Sequence, residues 1–160
     1  MFHSFHYELD SWRVAQVRNI GAIEGQPILS DNEWETIAGG GDEAVRSWIN
    51  LQMAHRSCVV VLVGRQTAHR RWVRYEFEKG WNEGRGVVGI HVHNLLDHYG
   101  KQAQRGANPF CSTILANGRT LSSVVRCYDP PFTLSSAVYH HIADNLADWV
   151  DEAIRIRTAD

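Results

Sequence analysis

The sequence predicts an α/β fold built on a parallel sheet with helices on both faces. Three observations point there. Short apolar runs alternate along the chain with segments of helical period, the pattern of strand-helix units. The run CVVVLVG at residues 58–64 is β-branched without polar alternation, which implies burial on both faces and hence a central parallel strand. The 160 residues, 44% of them hydrophobic, suit one compact core, so residues 1–160 are expected to form a single domain.

The elements follow in order. Residues 2–5 read as a short first strand, and Asp10 or Ser11 is the expected cap of a helix carrying Trp12, Val14, Val17 and Ile20. Residues 27–31 read as a second strand that leads into the loop NEWETIAGGG. Asp42 is the expected N-cap of the next helix, with Ala44, Val45, Trp48, Ile49 and Met53 on its apolar positions. The third strand, 58–64, is followed by the helical stretch RRWVRYEFEKGW at 70–81. A fourth strand is expected at 86–93, a fifth at 123–128, and a long closing helix at 135–155 with Val138, Ile142, Leu146, Trp149, Val150 and Ile154 inward. Between them, residues 94–122 form a polar connection rich in Gly and Asn. Connections that long inside a compact domain usually carry function or move, and this one is the expected lid. No internal repeat, low-complexity tract or dividing linker interrupts the chain.

Charge removes some functions. Sixteen Lys plus Arg stand against eighteen Asp plus Glu, a net charge of -2 mixed along the chain, so no nucleic acid and no anionic membrane is expected as a partner. Cys58, Cys111 and Cys127 show no CxxC spacing and imply a reducing compartment. The N-terminus has no basic and apolar signal pattern, and no apolar stretch reaches the roughly 20 residues that span a bilayer. The expected location is cytoplasmic.

Ligands of open α/β sheets bind beyond the carboxyl ends of the strands. His6 and Tyr7 follow the first strand, Asp31 to Trp34 the second, and Glu76 lies in the early turns of the helix after the third. Helical period sets Trp72 and Glu76 one turn apart on one face. A helical glutamate is ordinarily solvated, and Trp72 alone reads as a core or cleft-wall residue. Together they describe a carboxylate held beside apolar surface, the environment that tunes acids, bases and sugar-binding groups. His91 and His93 share one strand face with His98 close behind, but no Cys or carboxylate completes a ligand spacing, so no metal is expected. A phosphoacceptor reading fails because the third strand ends in Gly64-Arg65. GAIEG and AGGGD give neither a GxGxxG nor a P-loop cradle.

The stretches FHSFHYELD, SCVVVLVGRQTAHRRWVRYEFEKG, GVVGIHVHNLLDHYG and GANPF together resemble the TIR-like domain of the bacterial Thoeris antiphage systems, the ThsB-type subunit. The likeness runs from about residue 1 to residue 110. It implies a flavodoxin-like TIR domain with a central five-stranded parallel sheet in the order 2-1-3-4-5. It also implies that Glu76, the acid of the W-x-x-x-E stretch, is the catalytic residue for cleaving NAD, which is substrate rather than cofactor. Phe5, His6 and Tyr7 would then shape the nucleotide pocket, with Trp72 as its wall, although most TIR enzymes carry an Arg near the position of His6. Residues 31–41 correspond to the loop after the second strand, where Asp31 and Trp34 would line the substrate. The implied product is a cyclic ADP-ribose isomer or a related ADP-ribose derivative sensed by an effector protein, and TIR domains of this kind also self-assemble. Two other readings stay open: a non-catalytic TIR interaction module, and an enzyme like the nucleoside deoxyribosyltransferases.

Overall fold

The computed structural model describes residues 1–20 and 36–160. Strand β1 spans Phe2–Ser4 and helix α1 spans Tyr7–Arg18; helix α2 follows at Gly41–Met53, then strand β2 at Cys58–Val63. Helix α3 covers Arg71–Asn82, strand β3 Gly86–His91, strand β4 Arg126–Tyr128 and helix α4 Ser135–Ala159. Short 3₁₀ turns occupy Thr67–His69, Pro109–Ser112 and Leu121–Ser123.

All strand pairs are parallel, with Ser4 beside Val61, Val61 beside Gly89 and Gly89 beside Cys127. Among the described residues the sheet has four strands in the order β1-β2-β3-β4, where the sequence implied five in the order 2-1-3-4-5. The four are the expected first, third, fourth and fifth strands. The strand expected at 27–31 lies outside the described residues.

The β-branched run of β2 sends alternate side chains into two cores. Cys58, Val60 and Leu62 pack with Val14 and Val17 of α1 and with Val138, Ile142 and Leu146 of α4. Val59, Val61 and Val63 pack with Val45, Ile49 and Met53 of α2 and with Val73, Phe77 and Trp81 of α3. Every residue of β2 is therefore buried, as its composition requires.

Several boundaries differ from the sequence reading. Helix α1 starts earlier, because His6 rather than Asp10 or Ser11 is its N-cap: the imidazole Nδ1 accepts the Leu9 N–H at 3.3 Å. That start turns Trp12 outward, 55% exposed, and turns Asp10 and Arg13 inward as an ion pair. Gly40 caps α2, which leaves Asp42 in the first turn, where its carboxylate accepts two hydrogen bonds from Arg71. Strand β3 stops at His91, β4 begins only at Arg126 after the turn at Leu121–Ser123, and α4 runs on to Ala159.

The 94–122 connection is fastened to the sheet's carboxyl end. Arg13 donates from Nε to the Leu95 carbonyl at 2.8 Å and from Nη2 to the Lys101 carbonyl at 3.0 Å, while Gln16 donates to the Leu96 carbonyl at 2.6 Å. Further along, Asn108 Oδ1 accepts the Phe110 N–H, and the Phe110 ring meets Phe77 edge-on at 5.0 Å. No helix among the described residues is long and apolar enough to cross a membrane.

Candidate active site

Glu76 owes its position to the phase of α3. The helix buries Val73, Phe77, Gly80 and Trp81, and Glu76 falls within that stripe, one turn after Val73 and one before Gly80. The carboxyl is consequently turned toward the sheet and only 8% exposed. It meets the last residue of β1: Ser4 Oγ donates to Glu76 Oε1 at 3.3 Å. Burial pushes the carboxyl's pKa well above the usual carboxylate value, and the Ser4 hydroxyl pulls it partly back. A buried acid with a single neutral donor is a group whose charge depends on what binds beside it.

Trp72 does less for this carboxyl than its spacing suggests. Its half-buried ring packs on the α2-α3 core, meets Tyr75 edge-on at 5.6 Å and lies under the Arg71 guanidinium at 4.8 Å. Among the described residues neither a hydrogen bond nor a ring contact joins it to Glu76. The dryness at Glu76 comes from helix phase and strand packing, with the indole at the margin.

The segment after β1 supplies the other candidates. Phe5 packs against the α1-α4 core and its ring lies 6.0 Å from that of Tyr7, the first residue of α1. His6 is buried at its cap position; desolvation lowers its pKa, the nearby Arg70 guanidinium lowers it further, and the imidazole is neutral at pH 7. Asp31 and Trp34 lie outside the described residues. The structure thus gathers Ser4, His6, Arg70 and Glu76 around the carboxyl end of β1.

A second polar cluster sits at the end of β2. Asp10 Oδ1 accepts from Arg13 Nη1 at 3.1 Å, while its buried Oδ2 has no partner among the described residues. The carboxylate lies flush on Gly64, where a Cβ would come within 2.0 Å of Oδ2. Gly106 presses on the same spot, since its own Cβ would stand 2.0 Å from the Gly64 carbonyl oxygen. Glycine is required at both positions by close backbone approach. Desolvation raises the Asp10 pKa against the pull of Arg13.

His91 and His93 stand edge-to-face at 5.8 Å, and burial lowers the pKa of both, His91 to about 4. No three His, Cys, Asp or Glu side chains among the described residues come together as a metal site.

Besides a groove of about 230 Å³ between Phe77 and Pro109, two more flank α3. One of about 310 Å³ is lined by His69, Arg70, Arg71 and Trp72 at the start of the helix. The other, about 540 Å³, runs between the helix and the 113–121 turn past Arg74, Glu78, Trp81 and Arg157. Neither contains Glu76. The candidate is therefore singled out by a carboxyl withdrawn from water at the sheet's mouth rather than by groove size.

Of these residues, sequence reasoning missed Ser4, Asp10 with Arg13, and Arg70. Ser4 was readable as the one hydroxyl in the first strand, and Asp10 with Arg13 as an i, i+3 pair once the helix start is placed at Tyr7. Nothing in the sequence singles out Arg70 among its basic neighbours.

The sequence agrees with the geometry. Residues 2–97, which carry β1, β2, β3 and Glu76, match the family described as Thoeris protein ThsB, TIR-like domain. A Bacillus cereus (strain MSX-D12) protein named "Putative cyclic ADP-D-ribose synthase ThsB1" is 36% identical over 115 residues, a stretch covering 69% of this chain. The match spans 60% of that curated relative's length. A parallel sheet of this order, an acid at the carboxyl end of its first strand and a family match across most of the strands lead to one assignment: the chain belongs to the Thoeris ThsB TIR-like domain family.

Proposed function

We propose that the protein cleaves the nicotinamide-ribose bond of NAD. On this reading it turns the ADP-ribose part into a cyclic isomer, or a related ADP-ribose-derived signal, that activates a partner effector in antiphage defence. The observation that carries the reading is the carboxyl of Glu76, buried at the end of β1 with one hydrogen-bond donor. The cyclic product is favoured by the name of the Bacillus cereus relative.

The chemistry suits a single acid. Nicotinamide leaves NAD as a neutral amine, so the departure needs no general acid. The cost lies in the positive charge that grows on the ribose, and a carboxylate in a site with little water lowers it. Only the ionised form of Glu76 does this, whereas burial holds the resting carboxyl toward its protonated form. The substrate resolves the conflict. A cationic pyridinium about 4 Å away at an effective dielectric of about 20 favours the carboxylate by roughly 4 kcal/mol, which corresponds to about 3 pKa units. Binding thus charges the group that the reaction uses. His6 and Tyr7 at the β1 turn, with the groove beside Trp72, are the proposed nucleotide wall. If water reaches the sugar the product is linear ADP-ribose; if a group of the same molecule attacks first, it is cyclic.

The test is to incubate the protein with NAD at concentrations from dilute to assembly-promoting and to follow nicotinamide release and product mass. Release from the wild type, with a product lighter than NAD by one nicotinamide and carrying no added water, is the expected outcome for cyclisation. Absence of nicotinamide at every concentration would sink the proposal.

A further inference from the structure

We infer that Ser4 is a positioning residue for Glu76: its hydroxyl holds Oε1 at the end of β1 and leaves Oε2 to face the sugar. The inference rests on the reading of Glu76 given above and extends it to a residue outside the W-x-x-x-E stretch.

Several features of the pair support it. Ser4 is fully buried, and its backbone is fixed by parallel pairing with Val61, the last pair of the β1 register. Its side chain has one rotatable bond before the hydroxyl, so the position of Oγ is set by the sheet and not by the helix. Glu76 has three, and on its own helix no neighbour holds it, since its one hydrogen bond among the described residues is the one from Ser4. The bond crosses 72 positions of sequence and joins the two elements whose ends form the candidate site. Phe5, His6 and Tyr7 follow directly, so the residue that orients the acid also begins the loop proposed to hold the nucleotide.

A hydroxyl can donate to either state of a carboxyl, but the bond to the charged state is the stronger one. The Ser4 hydrogen bond therefore eases formation of the carboxylate when the substrate arrives, and it prevents the three-bond side chain from swinging away as the charge develops. One oxygen is held, and the other stays free of protein donors for the sugar.

The experiment compares wild type, Ser4→Ala and Ser4→Thr in nicotinamide release across pH. It adds a carbon-13 titration of the labelled glutamate carboxyls, with the Glu76 signal assigned by its loss in Glu76→Gln. In Ser4→Ala we expect kcat to fall about tenfold or more with KM changed little, since the nucleotide contacts remain. The acid limb of the rate profile and the Glu76 titration should both move about one to two pH units upward. Ser4→Thr keeps the hydroxyl and should restore the titration. A Ser4→Ala protein whose Glu76 titration and acid limb coincide with those of the wild type overturns the inference whatever its rate. Should the wild type release no nicotinamide, the functional reading fails, and the titration still decides the pair: a shift supports the hold of Ser4 on Glu76, and no shift removes it.

Discussion

Glu76 is costly to the fold and, on the proposed reading, useful to the site, and one substitution separates the two. Its folded pKa lies well above the ordinary 4.5 because of burial, with Ser4 opposing only partly. Below the unfolded value both states are protonated and the buried carboxyl does no harm. As pH rises past that value the unfolded chain releases its proton while the folded one retains it, so stability drops until the folded pKa is reached. Glu76→Gln removes this gradient with almost no change of shape. The variant should melt with the wild type at pH 4 and above it at pH 7, the gap widening by up to ~1.4 kcal/mol per pH unit. Its NAD cleavage should fall by ~10²-fold or more, the usual worth of one well-placed electrostatic group. Equal melting at pH 7 would mean that the carboxylate forms without penalty, and the electrostatic account of the site would be wrong. The position of this residue was legible from helical spacing alone. Its partner was not: the spacing named Trp72, the neighbour along the helix, whereas the bond comes from Ser4, a neighbour across the sheet that no local period can reveal.

At the scale of elements, α1 acts as a fastening for the long connection. Arg13, buried, serves Leu95, Lys101 and Asp10 from one guanidinium, and its planar fork is what allows three directions at once. Truncation to alanine would strip the Leu95 carbonyl of its donor, leave the Lys101 carbonyl with the Asp97 N–H alone, and leave the Asp10 carboxylate buried against Gly64 without a counter-charge. Breaking such a pair typically costs ~3–5 kcal/mol. Arg13→Ala should therefore lower the melting temperature markedly and speed hydrogen exchange at the Asp97, Gly100 and Ala103 amides, whose bonds lie within the fastened loop. Arg13→Lys should recover little, because a single ammonium cannot reach all three acceptors. Unchanged exchange at those amides would show that the loop holds itself. The helices and the central strand could be read from period and composition, since burial on two faces forces the β2 pattern and the α3 stripe. Their ends could not. His6 is not among the usual cap residues, and residues 123–125, which read as strand, instead complete the turn that begins at Leu121, because parallel pairing reaches β4 only from Arg126.

The whole molecule combines two opposed pH gradients across one sheet. On the acid side, burial lowers His3 and His91 from 6.5 to about 4. Such groups contribute stability that is fully present above the unfolded value and is lost as pH falls through the folded one, about 3 kcal/mol each over the full interval. Against a typical domain stability of roughly 5–15 kcal/mol, the two together bring the fold close to unfolding near pH 4. On the alkaline side the histidines are neutral in both states and contribute no slope, whereas Glu76, its folded pKa raised by burial well above the unfolded one, draws stability down as pH rises toward that folded value. Asp10 acts in the same sense as Glu76 at more acid pH, and the amino group of Met1, lowered chiefly by burial, acts in the opposite sense near pH 8. The wild-type stability curve should therefore rise from pH 4 to about pH 6.5, where the unfolded histidines finish titrating, and turn downward beyond it. In Glu76→Gln the acid limb should remain, because His3 and His91 are untouched, and the downward turn should vanish. Denaturant melts of both proteins from pH 4 to 8 measure this directly. A downward turn of equal depth in both proteins would assign the alkaline loss to another group, and the buried carboxyl at the end of β1 would then ionise without penalty and need no arriving cation to charge it.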